Sequence, residues 1–531
     1  MRINDFTKNN FVKSLKNKII SFCYLGVTKH ARPKMDEIEF TSIDDDGRCV
    51  LFMDYMNEPV CFDFLNLFER LKTDETVHEL RFEHIFIGRD YEDIKCFSDM
   101  LKVNTAVTAL TITLKTGYPS KFIRFLAKAL KINTTIKKFT LSNIAGLDAF
   151  EKPERDIEYI LDALCFNTSI QILDLGNNVN IGENEEHMKC LGRLIETNNT
   201  IQELYLNDNN LCFSTKSLCY FCRGMKNNTT IKTLNLMGNP GFIEFPYTNI
   251  LSNMLVNNTT IEKLDMRGIL IDGCDPNEDE FLKLVKVLSA NKTITTLKLG
   301  QNCIGYHPGD MAALSILLEN TTVKNLELGM NFIGHIPGEL TLFSGCLRAN
   351  SILQTLDLRY NVVITHPEEL PYFLETVCLH GSLQTLRLDL TSEYHRNYGG
   401  NAQLFTSKYV DIVLNNLKQN NRLTKLRLMI EVCDFTMLKQ FFEVLQINTT
   451  LKSLDIINYN FIDIDNSPSL LGMGCMNTTI HHIGIAVVPQ HVRISFAGIS
   501  DRNTHNHTMK TTSLFEMLLK DMYSENNPDW E

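Results

Sequence analysis

Residues Asn227 to Phe242 read NNTTIKTLNLMGNPGF, and close copies of this stretch recur along the 531-residue chain. Three of the copies are NNTTIEKLDMRG, ENTTVKNLELGMNFIG and INTTLKSLDIINYN. Each contains Asn-Thr-Thr, then an alternation of apolar and polar residues. The regular return of one short segment is typical of a repeat protein. The stretch therefore predicts a chain built from many similar structural units.

The units align on the central leucine of TLNL, which we call the anchor. The spacing between anchors is 28 to 34 residues, except for a 40-residue step between Leu386 and Leu426. The fourteen anchors are Leu80, Leu110, Phe139, Leu173, Leu204, Leu234, Leu264, Leu297, Leu326, Leu356, Leu386, Leu426, Leu454 and Ile483.

Several columns around the anchor hold the same residue type in unit after unit. The residue three before the anchor is Ile, Val or Leu in every unit, and the residue two after it is always apolar. Asn stands six before the anchor in twelve units, with Asp74 and His380 as the exceptions. Asn also stands five after the anchor in six units: Asn178, Asn209, Asn239, Asn302, Asn331 and Asn361.

These columns predict a strand followed by a helix in each unit. Apolar residues at the anchor and two after it alternate, so a short strand turns both inward. Apolar-periodic stretches such as MAALSILLENTT and FFEVLQINTT follow and indicate amphipathic helices. One such unit cannot bury its own apolar surface, so the units are expected to stack.

The pattern LxxLxL followed by Asn resembles the leucine-rich-repeat family. The long spacing and helical second half resemble its ribonuclease-inhibitor-like subclass, which includes repeat domains of NOD-like receptors and the Ran GTPase-activating protein. The resemblance covers residues about 74 to 490. It implies an α/β leucine-rich-repeat solenoid, or horseshoe, with parallel strands on the concave face and helices on the convex face.

Three columns of turn residues carry structural expectations. Asn six before the anchor is expected to adopt the left-handed conformation that ends the helix. Asn five after the anchor is expected to satisfy backbone groups in the turn that leaves the strand. Proline stands eleven after the anchor in three successive units, where it suits the first helical position. These prolines are Pro308, Pro337 and Pro367.

The segments outside the periodic columns predict caps and one insertion. Residues 1–73 are predicted to form an N-terminal cap of a hairpin and a helix, residues 74–490 the array of about 14 units, and residues 491–531 a C-terminal cap with a flexible tail. The 40-residue step contains an insertion at 391–410. This aromatic-rich loop either binds a partner or is a solvated loop without a role.

Composition narrows the classes of function. Net charge is −11, which argues against nucleic acid as a partner, and no apolar run reaches the roughly 18 residues that a membrane span needs. The 15 cysteines are scattered, as expected for reduced thiols. The pair Cys219 and Cys222 favours the inner face of a helix over a zinc site. We expect no metal and no cofactor.

Location is inferred from the amino terminus and the glycosylation sequons. Residues Lys13 to Val27 resemble a secretory signal, but no small-residue cleavage site follows them. Sequons recur at the same predicted turn in at least eight units, where glycans would stack along one edge of a solenoid. A cytoplasmic location is the simpler interpretation. The polar tail resembles those of effectors that intracellular bacteria export into host cytosol.

No catalytic or phosphate-binding motif is present in the sequence, so we expect a protein without enzymatic activity. The outward residues one and three after the anchors are instead expected to bind a protein partner on the concave face. The partner-binding candidates are Tyr205, Asp265, Arg267, Lys298, Glu327, Asp357, Arg359, Arg387, Asp389 and Arg427.

Two alternatives stay open. The charges on this face could pair with one another, Lys298 with Glu327 and Asp357 with Arg387, and leave the binding site on a loop or cap. The resemblance to the Ran activator also implies an alternative function, a GTPase-activating or other enzyme-regulating protein that works through its repeat surface.

Overall fold

The structure is a computed structural model that divides into two compact units, Met1–Ile271 and Asp272–Glu531, which are described separately. The described residues are 42–43, 49–54, 64–85, 90–114, 118–144, 156–240, 247–269, 278–361, 363, 365–390, 407–430, 435–458, 479–480, 482–487 and 492–495.

In the first unit, strands alternate with helices along the chain. The strands are β1 Ser42–Ile43, β2 Cys49–Asp54, β3 Val77–Ile85, β4 Ala109–Leu114, β5 Lys138–Ser142, β6 Ile172–Asp174, β7 Glu203–Tyr205, β8 Thr233–Asn235 and β9 Lys263–Asp265. The helices are α1 Phe64–Leu71, α2 Tyr91–Val103, α3 Ser120–Ile132, α4 Asp156–Leu164, α5 Asn180–Glu183, α6 Glu185–Thr197, α7 Thr215–Asn227 and α8 Tyr247–Asn257.

The second unit continues the same alternation. Its strands are β10 Thr296–Lys298, β11 Asn325–Glu327, β12 Thr355–Leu358, β13 Thr385–Leu390, β14 Lys425–Ile430, β15 Ser453–Asn458, β16 His482–Val487 and β17 Val492–Ser495. Its helices are α9 Glu278–Ala290, α10 Asp310–Leu318, α11 Glu339–Ala349, α12 Leu370–Cys378, α13 Ser407–Gln419 and α14 Phe435–Ile447.

The anchors set the register between strands. Strands β2 to β9 pair in parallel with the next strand in the first unit, as do β10 to β16 in the second. Each anchor lies opposite the next, for example Leu204 opposite Leu234 and Leu356 opposite Leu386. Antiparallel pairs occur at β1 with β2 and at β16 with β17. The predicted α/β solenoid with parallel strands is confirmed within each unit.

The apolar columns form the core. Leu204 and Leu206, at the anchor and two after it, have no solvent-exposed surface, and Leu356 and Leu358 in the second unit are equally buried. The residue between them faces the other side of the sheet, where Tyr205 is partly exposed. Helices supply the opposite wall of this core through residues such as Leu218. Burial of each such leucine stabilises the fold by about 1.5–3 kcal/mol relative to exposure.

Asn six before the anchor joins neighbouring repeats through its side chain. In Asn228, Nδ2 donates to the Ile195 carbonyl of the preceding repeat at 2.7 Å, while Oδ1 accepts the amides of Thr230 and Ile231. Its backbone is extended, with φ −74° and ψ 135°. The predicted left-handed conformation is therefore wrong for this column, because the asparagine is selected for its paired donor and acceptor.

Asn five after the anchor also joins neighbouring repeats. We call the series of contacts made by Asn six before the anchor the first ladder and this series the second ladder. Asn239 donates to the carbonyls of Leu206 and Leu236 at 2.8 and 3.0 Å, and its Oδ1 accepts the amides of Asn209 and Leu211. It is fully buried, as are its equivalents Asn209 and Asn331. These contacts confirm the prediction that this asparagine satisfies the backbone where the chain leaves the strand.

The left-handed conformation occurs instead four residues after the anchor. Non-glycine residues at this position have φ near 56–59°: Asn143, Asn177, Asp208, Gln301, Met330 and Tyr360. The proline prediction is also wrong. Pro308 and Pro337 lie in the turn before left-handed Gly309 and Gly338, which cap α10 and α11, and α12 begins three residues after Pro367. Their fixed φ shapes this turn rather than the first helical turn.

His380 replaces asparagine in one unit and makes the same kind of contacts. Its Nε2 lies 2.9 Å from the Leu347 carbonyl, and the Ser382 amide donates to Nδ1 at 3.3 Å. The neutral tautomer with its proton on Nε2 satisfies both contacts. In the other exception, the Asp74 carboxylate accepts the amides of Thr76 and Val77. An ionised carboxylate has no hydrogen to donate, so Asp74 lacks the donor that asparagine has in this column.

Nine cysteines among the described residues are free thiols. Cys222 is buried on the inner face of α7, where burial raises its thiol pKa, but Cys219 on the same helix is exposed. The prediction that both face inward is wrong for Cys219. Among the described helices, none is long and apolar enough to cross a membrane.

Replacement of Asn239 by alanine tests the second ladder. The change leaves four buried backbone groups without this hydrogen-bond partner. We therefore expect the free energy of unfolding to fall by about 2–4 kcal/mol. Urea unfolding followed by circular dichroism measures the loss. Asn257→Ala, at an exposed position near the end of α8, is the matched control and should change stability by less than about 0.5 kcal/mol. Equal effects of the two substitutions would contradict the proposed role of the ladder.

Substitution of His380 by asparagine should alter the pH dependence of stability. Burial lowers the pKa of His380, although its bond to Leu347 opposes this shift. The unfolded chain therefore binds the proton more tightly, and stability is lost as the pH falls below about 6.5 towards the folded-state pKa. Thermal melts between about pH 7.5 and 5.5 should show a smaller loss for His380→Asn than for the wild type. Parallel curves would contradict this assignment.

Candidate interaction surface

The predicted binding residues lie on the strands or directly after them, on the face opposite the helices. Tyr205 on β7, Asp265 on β9 and Arg267 just after β9 belong to the first unit. The other seven belong to the second unit: Lys298 on β10, Glu327 on β11, Asp357 on β12, Arg359 just after it, Arg387 and Asp389 on β13, and Arg427 on β14.

In the first unit, the candidate side chains pair locally. Arg267 binds the Asp265 carboxylate through two nitrogens, Nε at 2.9 Å from Oδ1 and Nη2 at 2.7 Å from Oδ2. The Tyr205 hydroxyl donates to Glu203 at 2.8 Å. Burial, together with that carboxylate, raises the pKa of Tyr205 to about 12. These contacts fix the positions of the side chains.

A second aspartate–arginine pair occupies the same columns in the second unit. Arg359 binds Asp357 with Nε at 2.9 Å from Oδ1 and Nη2 at 2.7 Å from Oδ2. Arg387 on the neighbouring strand adds a contact from Nη1 to Oδ2 at 3.2 Å. The Asp357 side chain is only 2 % exposed. Burial alone would raise its pKa, but Arg359 and Arg387 hold it below its ordinary value.

Some of the predicted face is thus self-paired. The predicted contact of Asp357 with Arg387 is present, and Lys298 lies 3.7 Å from Glu327, so both pairs named in the alternative interpretation form. Asp389 is 2 % exposed, and its carboxylate accepts the Tyr360 amide at 3.2 Å. The aspartates at these positions therefore orient neighbouring groups, while the basic side chains remain partly exposed.

Arg427 differs from the other arginines of this face. It lies directly opposite Arg387 on β13 and Asp455 on β15 in the parallel register. Among the residues that the structure describes, Arg427 Nε has no hydrogen-bond partner and no contact with solvent. Burial lowers the pKa of its guanidinium and the positive charges of Arg359 and Arg387 add to this effect, while Asp455 opposes it. Like charges directly opposite across two strands destabilise a sheet.

Asp455 is engaged on its other side. His482 on β16 lies with Nε2 2.9 Å from Oδ1 of Asp455. The sequence columns did not predict a role for His482, because it precedes the anchor Ile483 and falls outside the positions expected to form the binding face. The parallel register of β15 with β16 places His482 opposite Ser453, so its contact with Asp455, two residues further along β15, is diagonal.

One group has the composition of a metal site. Ligand atoms of His366, Glu368 and Glu369 lie within 4.8 Å of one another. The Glu369 carboxylate, however, accepts the Gly338 and Thr341 amides of the preceding repeat at 2.6 and 2.7 Å. Its burial alone would raise its pKa, but these bonds hold the pKa below its ordinary value. The Glu369 carboxylate therefore joins two successive repeats by hydrogen bonds.

Three predicted features lie wholly or mainly outside the described residues. These are the amino-terminal segment at Lys13–Val27, most of the insertion at 391–410, and most of residues 491–531. Of the predicted N-terminal cap, the described part comprises the β1–β2 hairpin, helix α1 and the residues up to 73. The boundaries of the caps stay a prediction.

The fold and this surface define the class of protein as an α/β repeat protein with a charged strand face. Comparison of the chain with protein-family models finds no match, and comparison with curated proteins finds none either. The argument for function therefore starts from the side chains of the strand face.

Two substitutions distinguish Arg359, which neutralises a buried carboxylate, from Arg427, whose Nε has no acceptor among the described residues. Arg359→Ala removes the two-pronged partner of a buried carboxylate and should destabilise the protein by about 3 kcal/mol. Arg427→Met keeps most of the aliphatic stem and removes a like-charge contact with Arg387, so stability should stay unchanged or rise. Urea unfolding of both variants beside the wild type measures the difference. A loss for Arg427→Met as large as that for Arg359→Ala would contradict this division.

Proposed function

We propose that the protein is a non-enzymatic scaffold that binds a protein partner through the strand face of its repeats. Its sequence pattern resembles the ribonuclease-inhibitor-like leucine-rich-repeat class, and we assign it to that class as part of the proposal. The proposed location is the cytoplasm or, in keeping with the resemblance of its tail to exported effectors, the cytosol of a host cell.

The observation that carries the proposal is the Arg387–Arg427 pair on β13 and β14. Two half-buried guanidinium groups lie on adjacent strands, and one of them has an inaccessible donor without an acceptor among the described residues. Arginine is enriched at the energetically dominant positions of protein interfaces. The neighbouring aspartates are already engaged by Arg359 and His482, so a partner can supply an acceptor to the partly exposed edges of the two guanidinium groups.

A charge-reversal experiment tests this face. The wild type, an Arg387→Glu/Arg427→Glu variant and an Arg348→Glu/Arg422→Glu control are immobilised and exposed to eukaryotic cytosol at matched salt. Arg348 and Arg422 are exposed, the first at the end of α11 and the second in the turn before β14. Proteins retained by the wild type should be lost from the first variant and kept by the control. Equal retention by all three proteins would refute binding through this face.

The Arg427→Met substitution separates the scaffold from the alternative, a GTPase-activating protein of the Ran-activator type. An arginine offered in trans can stabilise the transition state of GTP hydrolysis, and Arg427 is an arginine without an acceptor among the described residues. Phosphate release from a panel of small GTPases is measured with and without the protein. Acceleration that disappears in the Arg427→Met variant would favour the alternative over the scaffold.

A further inference from the structure

We infer that Arg387 and Arg427 form a receptor for a carboxylate, and that the partner presents it on an acidic segment of its chain. This inference rests on the proposed function, because it names the chemistry that the strand face recognises. The site comprises these two arginines on β13 and β14, flanked by Asp357 on β12 and Asp455 on β15.

The register places the two guanidinium-bearing side chains side by side. Arg387 and Arg427 are direct partners in the parallel pairing, and adjacent strands lie about 4.8 Å apart. Both side chains extend from the outward column one after the anchor, and both are partly exposed. A negative group between them relieves their repulsion and accepts bonds from both, so the unfavourable contact becomes favourable on binding.

The neighbouring acids do not fill this role. Asp357 receives two bonds from the side chain of Arg359 and only one, at 3.2 Å, from Arg387. Asp455 lies beside Arg427 in the register, but its Oδ1 lies 2.9 Å from Nε2 of His482. Arginine has five donors in a planar fork. Most of the donors of this pair are therefore available to an external acceptor.

The charge balance favours a carboxylate over a more highly charged anion. Around the pair, Arg359 and Asp357 neutralise each other, and Asp455 partly offsets the remaining charge. With Asp389 counted, Arg359, Arg387 and Arg427 face Asp357, Asp389 and Asp455, so the formal charges balance. A single carboxylate, with its two-oxygen geometry, therefore disturbs this balance less than an anion of higher charge.

The depth of the site favours a side chain from an extended segment. Arg427 Nε has no exposed surface, so a bound acid reaches the guanidinium edges rather than this nitrogen. An extended acidic peptide crossing the parallel strands can place one carboxylate there while its neighbours stay solvated. Binding of this kind weakens as salt screens the charges.

The test uses the full chain and a fluorescein-labelled hexaglutamate peptide, with fluorescence anisotropy at about 50 mM salt. We expect binding to the wild type, at least about tenfold weaker binding to Arg387→Met/Arg427→Met, and unchanged binding to Arg348→Met/Arg422→Met. The hexaglutamine peptide should not bind. Circular dichroism and thermal melts of each variant establish that the loss does not come from unfolding.

Three outcomes would overturn the inference: no binding of hexaglutamate to the wild type, equal binding to the two double variants, or binding of hexaglutamine as tight as that of hexaglutamate. Displacement of the peptide by inorganic phosphate at lower concentration than by acetate would overturn the choice of carboxylate. The cytosol experiment is independent. If the charge-reversed protein loses its partner while hexaglutamate does not use the arginine pair, the scaffold function stands and the carboxylate receptor falls.

Discussion

Buried backbone groups at the junctions between repeats are the constraint on which the rest of this structure depends. Stacked strands and helices leave amides and carbonyls where the chain turns, and water does not reach them in the core. Asparagine supplies two donors and an acceptor in one short side chain. Asn228 and Asn239 each bond to their own repeat and to the preceding one. The ladders thus hold successive repeats in one register and so determine which strand-face residues become neighbours.

Short strands accompany the second ladder. Repeats with Asn five after the anchor have strands of three or four residues, as in β6 to β8 and β10 to β12. That asparagine is missing in β13 to β15, which extend to six residues, and also in β9, which keeps three. The side-chain Nδ2 of Asn361 donates to the carbonyl of Leu358. Because that carbonyl is bonded to the side chain, the backbone leaves the sheet there. The Arg387–Arg427 pair lies on the first two long strands after this change, where pairing continues past the anchors.

The sequence columns predicted the anchors, their burial and the outward residues, because strand periodicity and core packing are local properties of the chain. The roles of Asn and Pro were predicted less well. Asn fits both a left-handed turn and a backbone bridge, and only the extended backbone of Asn228 decides between them. The unequal fates of Arg359 and Arg427 were also beyond the sequence. They depend on which carboxylate each guanidinium reaches in three dimensions, a geometric difference of a few ångströms.

The unfavourable contact of Arg387 with Arg427 contrasts with the pairing around it. Asp265 with Arg267 and Asp357 with Arg359 show that this face can neutralise an arginine within a single repeat by an acid two residues before it. The residue two before Arg427 is Lys425, which is exposed and brings no carboxylate. Opposite charges across strands contribute only about 0.2–1 kcal/mol, so the repulsion is small against the burial of the anchors. A fold held by its leucines and asparagine ladders therefore tolerates an arginine pair whose best acceptor comes from outside the chain.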